Sequence, residues 1–166
     1  MSGLGCWVRG VGWLVLAAGA VWAQGRAPKP QPIPFSHKVH VGLGVKCADC
    51  HTLPAPGDLA TYPKEDQCMA CHAAIQSDSP SIRKLAEFHR ERKPVPWVRI
   101  YKVAEYVVFS HQSHYRQAKI SCETCHGPVA ARDVITLEKP PTMKACMDCH
   151  DERGASNECN FCHQPF

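Results

Sequence analysis

Cys47-Ala48-Asp49-Cys50-His51 is the first of five stretches built to one plan, in which two cysteines enclose two residues and a histidine follows at once. The others are Cys68-Met69-Ala70-Cys71-His72, Cys122-Glu123-Thr124-Cys125-His126, Cys146-Met147-Asp148-Cys149-His150 and Cys159-Asn160-Phe161-Cys162-His163. Ten of the chain's 11 cysteines fall in these motifs, and the remaining one is Cys6. Histidine makes up roughly 6% of the residues, so five occurrences out of five at one position have a chance probability on the order of one in a million.

The spacing has a chemical reading. One turn of helix sets two thiols beside the two vinyl groups of a haem, and the adjacent imidazole turns onto the iron. Disulfide pairing, the expectation for ten cysteines in an oxidising compartment, has no use for the histidine. A zinc ribbon tolerates many residues there. The cofactor expectation is therefore five covalently attached c-type haems, bound through Cys47, Cys50, Cys68, Cys71, Cys122, Cys125, Cys146, Cys149, Cys159 and Cys162. His51, His72, His126, His150 and His163 supply one iron ligand each.

An iron held by one histidine has a sixth position, closed by a side chain in a carrier or left open for a substrate in an enzyme. Five further histidines remain, His37, His40, His89, His111 and His114, one for each haem. Met69 and Met147 sit between paired cysteines, which leaves Met143 as the methionine able to replace one of them. His37 and His40 lie in Phe35-Ser36-His37-Lys38-Val39-His40, and His111 and His114 in Phe109-Ser110-His111-Gln112-Ser113-His114. Two histidines three residues apart on a helix cannot readily share one iron, so each of a pair should serve a different haem. His89 lies at helical spacing with Ile82, Leu85 and Ala86 in a segment from Ser81 to Arg92, started by Ser79-Pro80 and ended by Pro94, which predicts a buried face carrying the histidine.

The two hexapeptides are offset by 74 residues, the motifs after them by 75 and the next pair by 78, the mark of an internal duplication. The expected organisation is an export signal over 1–23, a proline-rich linker over 24–34 that is extended and solvated, and a first di-haem repeat over 35–80. A connecting helix and extended segment follow over 81–108, then a second di-haem repeat with the fifth motif over 109–166. The signal is read from Arg9, the apolar run Val11 to Trp22 and the small-residue site ending at Ala23. An uncleaved anchor is the alternative, although the run is short of the roughly 20 residues a bilayer requires. Cleavage would remove Cys6 and place the protein in the periplasm or another extracytoplasmic space.

About 143 mature residues for five haems leave fewer than 30 to wrap each cofactor, so haem faces must supply most of the apolar surface. The predicted fold is a set of short α-helices and irregular loops wrapped around covalently bound haems, with little or no sheet. The chain carries a formal charge of +4, or +3 without Arg9, and five ferric haems with their propionates would add about −5. The basic balance is thus poor support for a nucleic-acid partner, and none is expected.

The chain resembles the class III, cytochrome c3/c7-like, multihaem cytochromes, whose Phe-Ser-His-x-x-His ahead of Cys-x-x-Cys-His occurs here twice. That resemblance implies that His37 is the distal ligand of the His51 haem and His111 that of the His126 haem. It leaves His40, His89 and His114 to the other three. Five haems, the duplicated plan and Pro96-Trp97-Val98-Arg99-Ile100-Tyr101-Lys102-Val103 are also similar to the pentahaem subunit of alternative complex III and related membrane oxidoreductases. The resemblance implies an electron-transfer protein rather than an enzyme, without a small-molecule substrate. Its partners would be redox proteins, among them a membrane quinol-oxidising or molybdopterin-type oxidoreductase complex. The alternative is a multihaem reductase of nitrite, hydroxylamine or a sulfur oxyanion with one open iron.

Overall fold

Every Cys-x-x-Cys-His stretch forms at least one turn of helix, and those turns organise the chain. The computed structural model describes residues 29–163, so the expected export signal, Cys6 and the start of the proline-rich stretch lie outside the described residues. Seven α-helices occur among those residues: α1 His37–Gly42, α2 Cys47–Cys50, α3 Glu65–His72, α4 Pro80–Glu91, α5 Cys122–His126, α6 Met143–Arg153 and α7 Cys159–Cys162. A π-helical turn covers Gln112–Gln117 and a 3-10 turn Val129–Ala131. No strand is present among the described residues, and Val107 and His163 form an isolated antiparallel bridge. The segment 95–108 is extended without pairing into a sheet. None of the described helices is long and apolar enough to cross a membrane.

Local capping explains where the helices begin and end. Ser36 opens α1, its hydroxyl accepting from the Val39 N–H at 3.1 Å, and Thr142 opens α6 by accepting from Ala145 N–H at 3.2 Å. In α4, Ser79 is the cap and Pro80 sits in the first turn, where its missing N–H costs nothing. Arg92 then turns left-handed at φ 53° and stops α4 two residues before Pro94. Gly154, at φ 65°, does the same for α6.

Protein side chains alone make a very small core. Ile33, Leu85 and Val95 are the buried apolar residues among those described, with Cys68, Met69, Ile82, Phe88 and Trp97 packed around them. The cluster joins α3 to α4, and the Glu65 carboxylate accepts from the Val95 N–H at 2.7 Å. Two expectations change here. The end of the proline-rich stretch is packed rather than solvated: Ile33 is buried, Gln31 exchanges two 3.0 Å hydrogen bonds with the Val98 backbone, and Lys84 donates to the Pro32 carbonyl. Proline keeps that stretch extended, and an extended strand of chain can still cover an apolar face. The buried face of α4 also runs through Leu85 to Phe88, one residue short of His89, which is exposed. Phe88 is the larger apolar group, and burying it turns His89 toward the Asp66 carboxylate.

Candidate haem-binding site

In the first repeat, α1 carries His37 and His40 on successive turns with Phe35 wedged against both rings. The Phe35 ring meets His37 edge-on at 4.8 Å and stacks on His40 at 4.3 Å. The second repeat reproduces this: Phe109 meets His111 edge-on at 4.9 Å and stacks on His114 at 4.7 Å. The aromatic ring is the part of the hexapeptide that fixes the imidazoles, a role its recurrence alone did not explain.

Each of these four histidines faces the histidine of a motif. His37 lies 6.3 Å from His51 with the rings 10° from parallel, and His111 lies 6.4 Å from His126 at 4°. His40 lies 6.1 Å from His72 at 61°, and His114 lies 6.1 Å from His150 at 23°. A metal held between two imidazole nitrogens at about 2 Å from each sets the ring centres roughly 6 Å apart. The residues present therefore fit an iron between each pair, and all ten motif cysteines are unpaired thiols.

Which ring nitrogen faces the gap is set by the other one. His40 and His114 donate Nδ1–H to the Ser36 and Ser110 carbonyls, both at 2.8 Å. His72 donates to the Ile75 carbonyl at 3.0 Å and His150 to the Ser156 carbonyl at 2.8 Å. Both rings of these two pairs are clamped, leaving Nε2 to bind a metal. In the other two pairs one hydrogen bond is made per pair: His51 to the Thr61 carbonyl at 2.8 Å and His111 to the Asp58 carbonyl at 2.7 Å. His37 Nδ1 is buried without a partner. Burial, helped by the nearby His51 and His40, lowers the His37 pKa to about 4. Burial, with His111 and His51, also lowers that of His126. Both rings are thus neutral near pH 7, the state in which imidazole ligates a metal. Burial is the largest cause holding the Cys50, Cys68, Cys122, Cys125 and Cys146 thiols above their ordinary range.

The fifth motif differs. His163 stacks on Tyr106 at 5.8 Å and faces no imidazole among the described residues. His89 instead pairs through Nδ1 with Asp66 at 3.0 Å, its side chain 42% exposed. Met143 is 66% exposed at the start of α6. Tyr101 is a further supporting residue that sequence reading did not single out. Its ring meets His126 edge-on at 4.5 Å and its hydroxyl accepts from the Glu138 N–H at 3.2 Å. A tyrosine in an extended segment carries no local signal of such a contact.

Comparison with known proteins follows the same lines. The model of a family described as cytochrome c3 matches residues 39–127, and that of cytochrome c7 and related cytochrome c matches residues 107–164. The chain is 33% identical over 163 residues to the menaquinone reductase, multiheme cytochrome c subunit, of Nitratidesulfovibrio vulgaris strain Hildenborough, covering 82% of this chain and 78% of that protein. It is 26% identical over 145 residues to the high-molecular-weight cytochrome c of the same organism. That match takes in 70% of this chain and 26% of the longer protein.

Proposed function

Since the chain belongs to the cytochrome c3/c7 family of multihaem, electron-transferring cytochromes, we propose that it is a periplasmic pentahaem electron carrier serving a membrane-associated respiratory oxidoreductase. The observation that carries this reading is the set of four histidine pairs at 6.1–6.4 Å, each containing one motif histidine. Bound haem would supply a one-electron ferric/ferrous couple that needs no substrate at the iron.

The chain's own residues do the rest. The five cysteine pairs would anchor the cofactors, and His51, His72, His126, His150 and His163 would each supply one iron ligand. His37, His40, His111 and His114, which face His51, His72, His126 and His150 respectively, would supply the second ligand at those four sites, with Phe35 and Phe109 holding them in place. At His40, His51, His72, His111, His114 and His150 a backbone carbonyl at Nδ1 keeps the ring in the metal-binding tautomer and raises its basicity. His89, held at Nδ1 by Asp66, keeps Nε2 as the nitrogen it could offer an iron.

Likeness to a menaquinone reductase subunit supports redox partners within a membrane complex. Haem counting by intact mass, with absorption spectra of both oxidation states, tests the proposal. Five haems per polypeptide are expected, and zero or two would overturn it. Copurification with membranes separates the subunit from a free carrier.

One observation favours a second reading. With Tyr106 rather than an imidazole beside His163, the fifth iron would have an open position, as a reductase of nitrite, hydroxylamine or a sulfur oxyanion requires. A high-spin signal in the electron paramagnetic resonance spectrum of the oxidised protein, together with turnover of one of those anions, would support it.

A further inference from the structure

The extended segment 95–108 joins no sheet, yet one of its side chains reaches the third attachment motif. The Tyr101 hydroxyl donates to the His126 carbonyl at 3.4 Å and accepts from the Glu138 and Lys139 N–H groups at 3.2 and 3.5 Å. Those partners are themselves fixed. The Glu138 carboxylate takes two nitrogens of the Arg132 guanidinium, at 2.7 and 3.2 Å, and Lys139 Nζ donates to the Thr124 carbonyl at 2.8 Å. Gly127, directly after the motif, lies so close to Glu138 that a Cβ there would stand 2.7 Å from Oε2. The phenol is thus tied at its tip to both ends of the loop that leaves the motif, and its ring is laid edge-on to the His126 imidazole at 4.5 Å and 72°.

That contact falls on the motif histidine that lacks the usual restraint. Of the four that face an imidazole, His51, His72 and His150 are held at Nδ1 by the carbonyls of Thr61, Ile75 and Ser156. His126 makes no such bond among the described residues. The torsion that turns an imidazole about its Cβ–Cγ bond has broad minima, so a ring without a hydrogen bond swings unless packing stops it. Yet the His126 pair is the most closely aligned of the four, 4° from parallel with His111, against 10°, 61° and 23° in the others.

We infer that Tyr101 is the positioning residue of the third haem site: its ring edge, anchored through the hydroxyl, sets the rotation of His126 and so keeps the two axial imidazoles near-parallel. The inference rests on the haem-binding reading above, which it deepens. Tyr101 touches the ligand and not the iron. The angle between two axial imidazole planes decides how unequally they load the two iron d orbitals of π symmetry, and that inequality governs the anisotropy of a ferric low-spin signal. Parallel rings act on the same orbital and give a rhombic signal, whereas rings turned toward perpendicular give one stretched to larger gmax. A residue that only orients a ligand is therefore read directly in a spectrum. Segment 95–108 gains by this a task in electron transfer beyond connecting the two repeats.

The test is the electron paramagnetic resonance spectrum of the oxidised holoprotein, recorded for Tyr101→Leu and Tyr101→Phe beside the unchanged chain, with haems counted by mass in each sample. His111→Ala identifies the signal to watch, because it removes the low-spin signal of the third site. In Tyr101→Leu, which loses both ring edge and anchor, that signal is expected to shift to larger gmax while the other low-spin signals keep their positions. In Tyr101→Phe, which keeps the edge and loses the anchor, the same signal is expected to shift in the same direction by less. An unmoved third-site signal in either variant overturns the inference, and so does a shift confined to another site. Where leucine costs the third haem, the phenylalanine variant decides alone. Fewer than five haems in the unchanged chain, with the third-site signal still moved by the variants, sinks the pentahaem reading and leaves Tyr101 its role. Five haems with that signal unmoved sinks the role alone.

Discussion

The two repeats use the same hexapeptide and set the phenylalanine and the first imidazole pair alike, at 10° and 4° from parallel, by different backbone routes, while the second pair meets at 61° in one and 23° in the other. In the first, Ser36 caps a regular helix, its hydroxyl accepting from Val39 at 3.1 Å and donating to the Asp133 carboxylate at 2.7 Å. In the second, the chain enters a π-helical turn and Ser110 accepts from Ser113 at a looser 3.4 Å. The wider turn brings His111 against the Asp58 carbonyl, so that its Nδ1–H is satisfied. Asp133, in the position equivalent to Asp58, binds Ser36 instead, and His37 Nδ1 is left without a partner. A shared motif thus specifies where the imidazoles stand, because the Phe wedge and the i−4 carbonyl are local. What secures the first imidazole comes from the opposite repeat and differs between the two.

Removing the haems should act on both repeats at once and have the largest effect. Protein exported from cells lacking cytochrome assembly is expected to show no cooperative thermal transition by circular dichroism, since the three buried apolar residues among those described cannot offset the chain entropy. A holo-like melt would mean that the repeats hold each other without cofactor. Next in size, His37→Ala and His111→Ala should each replace one low-spin signal by a high-spin one in the oxidised spectrum, and equal outcomes in the two variants would establish that the repeats are equivalent at the iron.

Gly57→Ala separates the repeats. At φ 95° a methyl group would meet Gln112 Cβ at 2.6 Å, so a loss of about 1–3 kcal/mol is expected in chemical denaturation. Arg132→Ala at the equivalent site should cost less, because φ there is −107°. Ser36→Ala removes a helix cap worth about 1 kcal/mol. Ser110→Ala should lower the melting temperature by a smaller amount, and the reverse ranking would contradict the capping difference. The smallest effect is electronic. With both rings clamped by carbonyls, the His40/His72 and His114/His150 sites should have lower reduction potentials than the His37/His51 and His111/His126 sites, as resolved by a spectroscopic redox titration.

Haem attachment, the duplication and the helical, sheet-poor fold were all legible before any coordinates. Each rests on spacing within a few residues: thiol, thiol and imidazole must lie on one turn, and a repeat shows itself as a constant offset. His89 marks the limit of that reasoning. Its 3.6-residue periodicity is real, yet whether Leu85 is followed into the core by Phe88 or by His89 depends on what α3 and the segment 31–34 present to α4.

By itself the sequence determined which atoms can bond to haem and iron, since covalent attachment needs only neighbours along the chain. Tertiary structure alone decided that His40 faces His72, that His114 faces His150 and that Tyr106 stands beside His163. Those contacts join residues from 32 to 57 positions apart, as their numbers show, and no local spacing constrains where a chain returns after that many residues. Only the packing of one repeat against the other does.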